Sequence, residues 1–433
     1  MSGARLPAEL VDLIALYVEG AQWQDSRYTA HPIQVVEIEC TALLANFRLV
    51  SRAFCRSASP LLFREINATL ISRITGTFRL RPLTKLLELS QGSLAHYVKA
   101  ISVGLGGIYQ RSYESAAKSY FEDLKTILPA CLPSYHQLQS LHISGPWSLA
   151  GSAADPQFPE HFRHTLRISV ANALSHVPLP SLSDLSLELP LAHDFAALSE
   201  CSQRRSSGIP IARTTAFEEV LEGLYRLDVT ITDNSGPGGQ RYFTKPSSGP
   251  QIAYPNPKYA PELFRFVEAA PNVKFLRIRA THVVDMDLCS FAKFRNLHVL
   301  ELRNLKASID NFLHIIEQNM DSLRAVDLED FQLTSGTWEH FLLMLCSVPR
   351  LDYFEISGCS YDKDGLSAWL APQCLHIFDN VRAIETKSFR DYHALGNLQR
   401  QIIANRAAAG LPQMDEHDFQ YTSWVPLEEV DIL

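Results

Sequence analysis

A serine at the end of an apolar run, two histidines three apart and two turn-like clusters are the residues of this chain whose types could do chemistry. Ala100-Ile101-Ser102-Val103-Gly104 is similar in outline to a nucleophile elbow, the strand-to-helix turn that exposes a serine hydroxyl. No aspartate-then-histidine order with hydrolase spacing follows it, and Ser102 lies between two inward positions of a repeated pattern. Gly104-Leu105-Gly106-Gly107 lacks the further glycine and basic residue that cradle a phosphate, which leaves a plain turn. Asp362-Lys363-Asp364-Gly365 opens like a calcium loop, but the closing glutamate is absent. His161-x-x-His164 supplies two ligands where zinc takes three or four. The eight cysteines are widely spaced with no C-x-x-C pair, so each reads as a small buried hydrophobe. The expectation is a protein without catalytic residues, metal or cofactor.

The elements that position these residues repeat. Leu138-x-x-Leu141-x-Ile143, Leu182-x-x-Leu185-x-Leu187, Leu224-x-x-Leu227-x-Val229 and Val273-x-x-Leu276-x-Ile278 share one pattern. It continues as Leu297-x-x-Leu300-x-Leu302, Leu323-x-x-Val326-x-Leu328 and Leu351-x-x-Phe354-x-Ile356, with an earlier copy at Val98-x-x-Ile101-x-Val103 and a degenerate one at Val381-x-x-Ile384. The last two apolar positions alternate as in a strand. Pro180, Pro271 and Pro349 pre-set an extended approach to their copies. Between copies the period changes to a helical one: Tyr113, Ala117, Tyr120, Phe121, Leu124 and Leu128 make one stripe. Leu263, Phe264, Val267 and Ala270, then Ile309, Phe312, Leu313 and Ile316, then Trp338, Phe341, Leu342 and Leu345 make others.

Strand then helix, repeated, predicts an α/β architecture with parallel strands. Steps of 24, 26 and 28 residues from Val273 to Leu351 are leucine-rich-repeat periods. The earlier steps of 40 to 49 residues imply insertions. The fold expected is an irregular leucine-rich-repeat-like solenoid over residues 67–413, with Asn304 nearest to the asparagine of regular repeats and a doubly wound sheet as the alternative. Two segments break the rhythm: a small-residue loop at 150–158, and a proline- and glycine-rich stretch at 233–261 with Tyr242, Phe243, Tyr254 and Tyr259, expected as a flexible insertion. A helix near 391–406 precedes an acidic, aromatic tail at 414–433.

Residues 1–66 predict three short helices. Leu6-Pro7-Ala8-Glu9-Leu10 opens the first, where Leu10, Leu13, Ile14 and Tyr17 share a face. A second apolar run, Ala42 to Phe47, flows into Arg48-Leu49-Val50-Ser51-Arg52-Ala53-Phe54. Ser51 is positioned to cap a last helix through Ala58, ended by Pro60-Leu61-Leu62-Phe63-Arg64. Glu65 to Leu70 then reads as a strand.

These three motifs, in this order, resemble a fungal F-box. The resemblance implies that Leu6, Pro7, Leu10, Ile14, Leu49, Val50, Phe54 and Leu62 face or support a Skp-type adaptor, and through it a cullin. It implies a substrate adaptor of a cullin-RING ubiquitin ligase whose solenoid holds a protein target. One departure from the family is an inserted loop at about 19–39, between the first two helices. The alternative is a non-ligase interaction scaffold, with the helices as a cap or adaptor-only docking site.

On the strands, residues between the inward positions face out: Arg277 and Arg279, Glu301 and Arg303, Asp327 and Glu329, then Glu355. They are the expected target-binding residues, a gradient from basic to mixed to acidic. The formal net charge of −8 gives no general attraction for nucleic acid. No apolar run suits a secretory signal or membrane span, so a cytosolic or nuclear protein is expected.

Overall fold

The structure, a computed structural model, describes residues 7–20, 44–71, 82–106, 114–145, 158–203, 216–236, 247–289, 291–362, 383–386 and 388–412. Helix α1 (Ala8–Gly20), a helical turn at 44–48 and α2 (Arg52–Leu62) come first. The Ser51 hydroxyl accepts from the Phe54 N–H at 3.4 Å, as its N-cap position requires. The helix does not stop at Ala58 but runs through Pro60 to Leu62. Proline removes one donor, yet the Phe63 N–H still reaches the Ser59 carbonyl at 3.0 Å and closes the last turn.

Strand β1 (Glu65–Ile71) follows at once and pairs in parallel with β2 (Ala100–Gly106). Its first two residues belong to the sheet, so the helical segment gives way to the sheet at Glu65 rather than after residue 66. Next come β3 (Ser140–Ser144), β4 (Asp184–Leu189), β5 (Arg226–Ile231), β6 (Phe275–Asp285) and β7 (Val299–Ser308), each parallel to the one before. Beyond β7 each rung is broken in two. The first half of β7 pairs with β8 (Ala325–Glu329) and that with β10 (Tyr353–Ser357). Its second half pairs with β9 (Gln332–Ser335), then β11 (Cys359–Tyr361) and β12 (Ile384–Glu385). The result is one 12-stranded parallel sheet whose strands run in chain order. A doubly wound sheet reverses its order at a switch point; no reversal occurs among the described strands.

The connections are helical. They are α3 (Pro82–Ser90), α4 (Glu114–Cys131), α5 (Phe158–His176), α6 (Ala192–Gln203), α7 (Ala216–Glu222), α8 (Gly249–Ala253) and α9 (Asn256–Glu268). After β7 the steps shorten to α10 (Ile309–Gln318) and α11 (Trp338–Cys346), and α12 (Phe389–Ala408) closes the array. Part of the added length of the early steps is extra helix. The repeat positions Leu276, Ile278, Leu300, Leu302, Val326, Leu328, Phe354 and Ile356 are all buried, within one continuous core shared with the helices. Alternation puts every second strand residue on the opposite face, which is only half-buried.

The stretch 233–261 differs from its expectation as a structureless insertion. Ser248 caps α8 through its hydroxyl, and α9 carries Pro257 in its first turn, where a missing N–H costs nothing. The base is tied by Asp233, whose carboxylate accepts from the Ser235 N–H at 3.0 Å and the Ser248 hydroxyl at 2.7 Å. Tyr254 stacks on His193 at 4.1 Å with the Arg163 guanidinium 4.9 Å away, and Tyr259 meets the same imidazole edge-on at 4.8 Å. These tyrosines therefore serve internal packing. Tyr242 and Phe243, residues 150–157, most of the 19–39 insertion and the 414–433 tail lie outside the described residues. No helix among the described residues is long and apolar enough to cross a membrane.

Candidate functional site

Two surfaces carry the residues singled out in the sequence. The first is built on α1 and the turn before α2. On α1 the stripe that faces inward is Val11 and Ala15, one turn apart and buried, as are Leu44 and Ala58; none of the four belongs to the core of the sheet. The other stripe is exposed: Leu10 45%, Leu13 60% and Ile14 39% accessible, with Leu49 at 81% and Val50 at 66% in the turn. The apolar face read from the spacing is thus the outer one. Phe54 and Leu62 are half-buried, and the Phe54 ring meets Phe47 edge-on at 4.3 Å, where it supports the turn. Pro7 is exposed; Leu6 lies outside the described residues.

The second surface is the open face of the sheet. In-register parallel pairing brings residues of equal rank into rows across the strands, about 4.8 Å apart. The central row runs Asn67, Ser102, His142, Ser186, Asp228, Arg277, Glu301, Asp327, Glu355. Arg277 bridges its two neighbours, donating from Nη1 to Asp228 Oδ2 at 3.0 Å and from Nε to Glu301 Oε2. In the adjoining row Arg279 lies 3.5 Å from the same Asp228 oxygen, and Arg303 pairs with Glu329 at 3.2 Å. The arginines of the expected basic-to-acidic gradient are thus paired with carboxylates on adjacent rungs. What remains is acid at one end. Burial, then Glu355, Glu301 and Glu329, push the Asp327 carboxyl up to about 7, against a smaller pull from Arg277. The Tyr353 hydroxyl donates to Glu355. Burial likewise pushes Glu188 up to about 7, with Arg279 opposing and Asp228 adding.

Asp228, Glu188 and Tyr353 were missed from the sequence as members of this face. The signal for Asp228 was present, since it sits between Leu227 and Val229 at the same offset as Arg277, Glu301, Asp327 and Glu355. Ser102 lies beside His142 across the strands, and no hydrogen bond joins them. His161 lies 3.1 Å from Glu122, while His164 contacts Arg167 at 3.1 Å, so the two do not converge. No cluster of ligating side chains suited to a metal occurs among the described residues. Searches of protein-family models and of curated proteins return no match to the chain.

Proposed function

We propose that this chain is a substrate-recognition adaptor: its N-terminal helices dock on a Skp-type adaptor of a cullin-RING ligase, and a leucine-rich-repeat-like solenoid presents its open strand face to a protein target. The observation that carries the reading is the exposed apolar stripe of Leu10, Ile14, Leu49 and Val50. A small helical unit that, among its described residues, buries the apolar side chains of Val11, Ala15, Leu44 and Ala58 and leaves Leu10, Leu13, Ile14, Leu49 and Val50 in water is built to be covered. The resemblance of the same residues to the F-box motif supports a Skp-type adaptor as the covering partner. Sequential parallel strands and helical connections support the solenoid reading. The scaffold alternative draws on one feature: α2 runs directly into the edge strand β1, as the cap of such an array would.

The test is a pull-down of Skp-type adaptor and cullin by the full chain and by Leu10→Asp with Leu49→Asp. Both side chains are exposed, so folding is retained in the far-UV signal. Loss of two interface anchors is expected to weaken capture by about thirtyfold or more. Undiminished capture would remove adaptor docking from the reading. Capture of the adaptor without cullin would favour the scaffold.

A further inference from the structure

The two halves of the open face are satisfied differently. From β4 to β8 its arginines stand against carboxylates: Arg226 with Asp184, Arg277 with Asp228 and Glu301, Arg279 with Asp228, and Arg303 with Glu329. Three polar side chains of β3 and β4 have no such company. Glu188 is only 9% accessible, yet its carboxyl makes no hydrogen bond and no ion pair among the described residues. The half-buried His142 ring and Ser186 hydroxyl are equally without a hydrogen-bond partner among them. A carboxyl taken out of water with nothing in exchange costs stability, so an enclosed one without a partner marks a place that a ligand completes.

Register places the three side by side. His142 pairs with Ser186 on the next strand, and Glu188 is the next residue of β4 on the same face. The spacings are about 4.8 Å across the strands and about 6.6 Å along them. Two long side chains thus flank a short one, and the space above Ser186 is a notch between them. Ser144, the next residue of β3 on this face, does not fill it: its hydroxyl turns back to the Val103 and Leu105 carbonyls at 3.3 and 3.2 Å.

Charge decides what the notch accepts. Arg279 stands two strands from Glu188 in the same row, but its Nη2 is turned to Asp228 Oδ2 at 3.5 Å, and Arg277 is held between Asp228 and Glu301. On the central and adjoining rows of β3 to β7, Glu188 is therefore left as the carboxyl without a counter-ion, and a single positive charge completes it. His142 is held below its ordinary range by burial, with Asp228 opposing and Arg279 adding, so at neutral pH its ring offers an acceptor nitrogen rather than a competing charge. A carboxylate, an unprotonated imidazole nitrogen and a hydroxyl oxygen make three acceptors, and a primary ammonium has three donors.

We propose that the notch above Ser186 takes one primary ammonium group, that of a lysine side chain on the protein target, paired with Glu188 and donating to His142 and Ser186. Only the source of the lysine depends on the proposed function; the site itself does not.

Binding of a blocked Ala-Lys-Ala peptide to the full chain, followed by saturation-transfer NMR, tests this. The same peptide with its lysine Nε-acetylated, which removes the charge, and blocked Ala-Glu-Ala are expected not to bind. Burial pushes Glu188 up to about 7, with Arg279 opposing and Asp228 adding, while the peptide ammonium stays charged to about pH 10. The ionised fraction of Glu188, and the affinity with it, should rise about tenfold from pH 6 to pH 8. Glu188→Gln, close in shape, should weaken binding at pH 8 by about tenfold or more and remove the pH dependence. Ser186→Val keeps the carboxyl, suits a strand and fills the notch, and is expected to lower affinity about fivefold. No binding of the lysine peptide at pH 8, undiminished binding by Glu188→Gln, or loss on Asp327→Asn but not on Glu188→Gln would overturn the site. Tighter binding of the glutamate peptide would overturn it too and assign the notch to an anion held by Arg279. The peptide reports without adaptor or cullin, so failure here and failure of adaptor docking are read separately.

Discussion

Asp327 and Glu188 illustrate how a single carboxylate on a sheet face can make stability depend on pH. Each is held near 7, burial being the larger cause, whereas in the unfolded chain each ionises near 4. The native state therefore binds more protons than the unfolded state between these values, and stability falls as pH rises from about 4 to about 7. Above that window both states are ionised and the dependence vanishes. Asp327→Asn combined with Glu188→Gln should flatten the pH dependence of the urea midpoint over that window, leaving the variant the more stable protein at pH 8. An unchanged slope would show that these carboxylates are solvated.

At the scale of the element, the broken rungs after β7 have a backbone cause. Asn304, Asp330 and Gly358 have φ of 53°, 56° and 63°, in the left-handed region. Each directly follows a residue of one register column, Arg303, Glu329 and Ser357, so three successive rungs bend at the same level. Asparagine, aspartate and glycine are the residues that tolerate this conformation best. The Asn304 amide also donates to the Ala280 carbonyl at 2.8 Å, tying the corner to the preceding rung. Asp330→Val, which places a β-branched residue at positive φ, should cost ~1–3 kcal/mol in chemical denaturation. Asp330→Asn should cost clearly less, since it retains the tolerance. Equal losses would place the role of Asp330 in its charge rather than its backbone.

For the whole molecule, the pairing of charges across rungs changes what an interaction face can offer. Arg277 and Arg279 share Asp228, so reversing them strands a buried carboxylate as well as altering the surface. On the proposed reading, Glu355 and Asp327 at the acidic end are the cleaner probes of target capture. Asp327→Asn with Glu355→Gln is expected to weaken capture of the target by at least about fivefold, with adaptor binding unchanged. If target capture is unaffected, recognition lies off this face. On the proposed reading, the two ends of the function sit on separate parts of the chain, the apolar stripe before Glu65 and the charged face after it.

The sequence by itself determined the parallel α/β sheet, because strand and helix periods each place their apolar residues with unambiguous spacing. It determined the buried rows from Ile101 to Ile356, the Ser51 cap and the stripes on α4, α9, α10 and α11. It also marked Leu10, Ile14, Leu49 and Val50 as residues of one kind. Only the tertiary structure decided that Val11 and Ala15, not the larger residues, fill the inside of α1, because periodicity gives a stripe but not which side the neighbours occupy. Only it turned part of 233–261 into helices braced by Tyr254 and Tyr259, since the partners Arg163 and His193 come from distant rungs. And only it converted a row of outward charges into ion pairs, because Asp228 meets Arg277 49 residues away in sequence. Local spacing fixes the face on which a side chain stands; register across strands fixes what stands beside it.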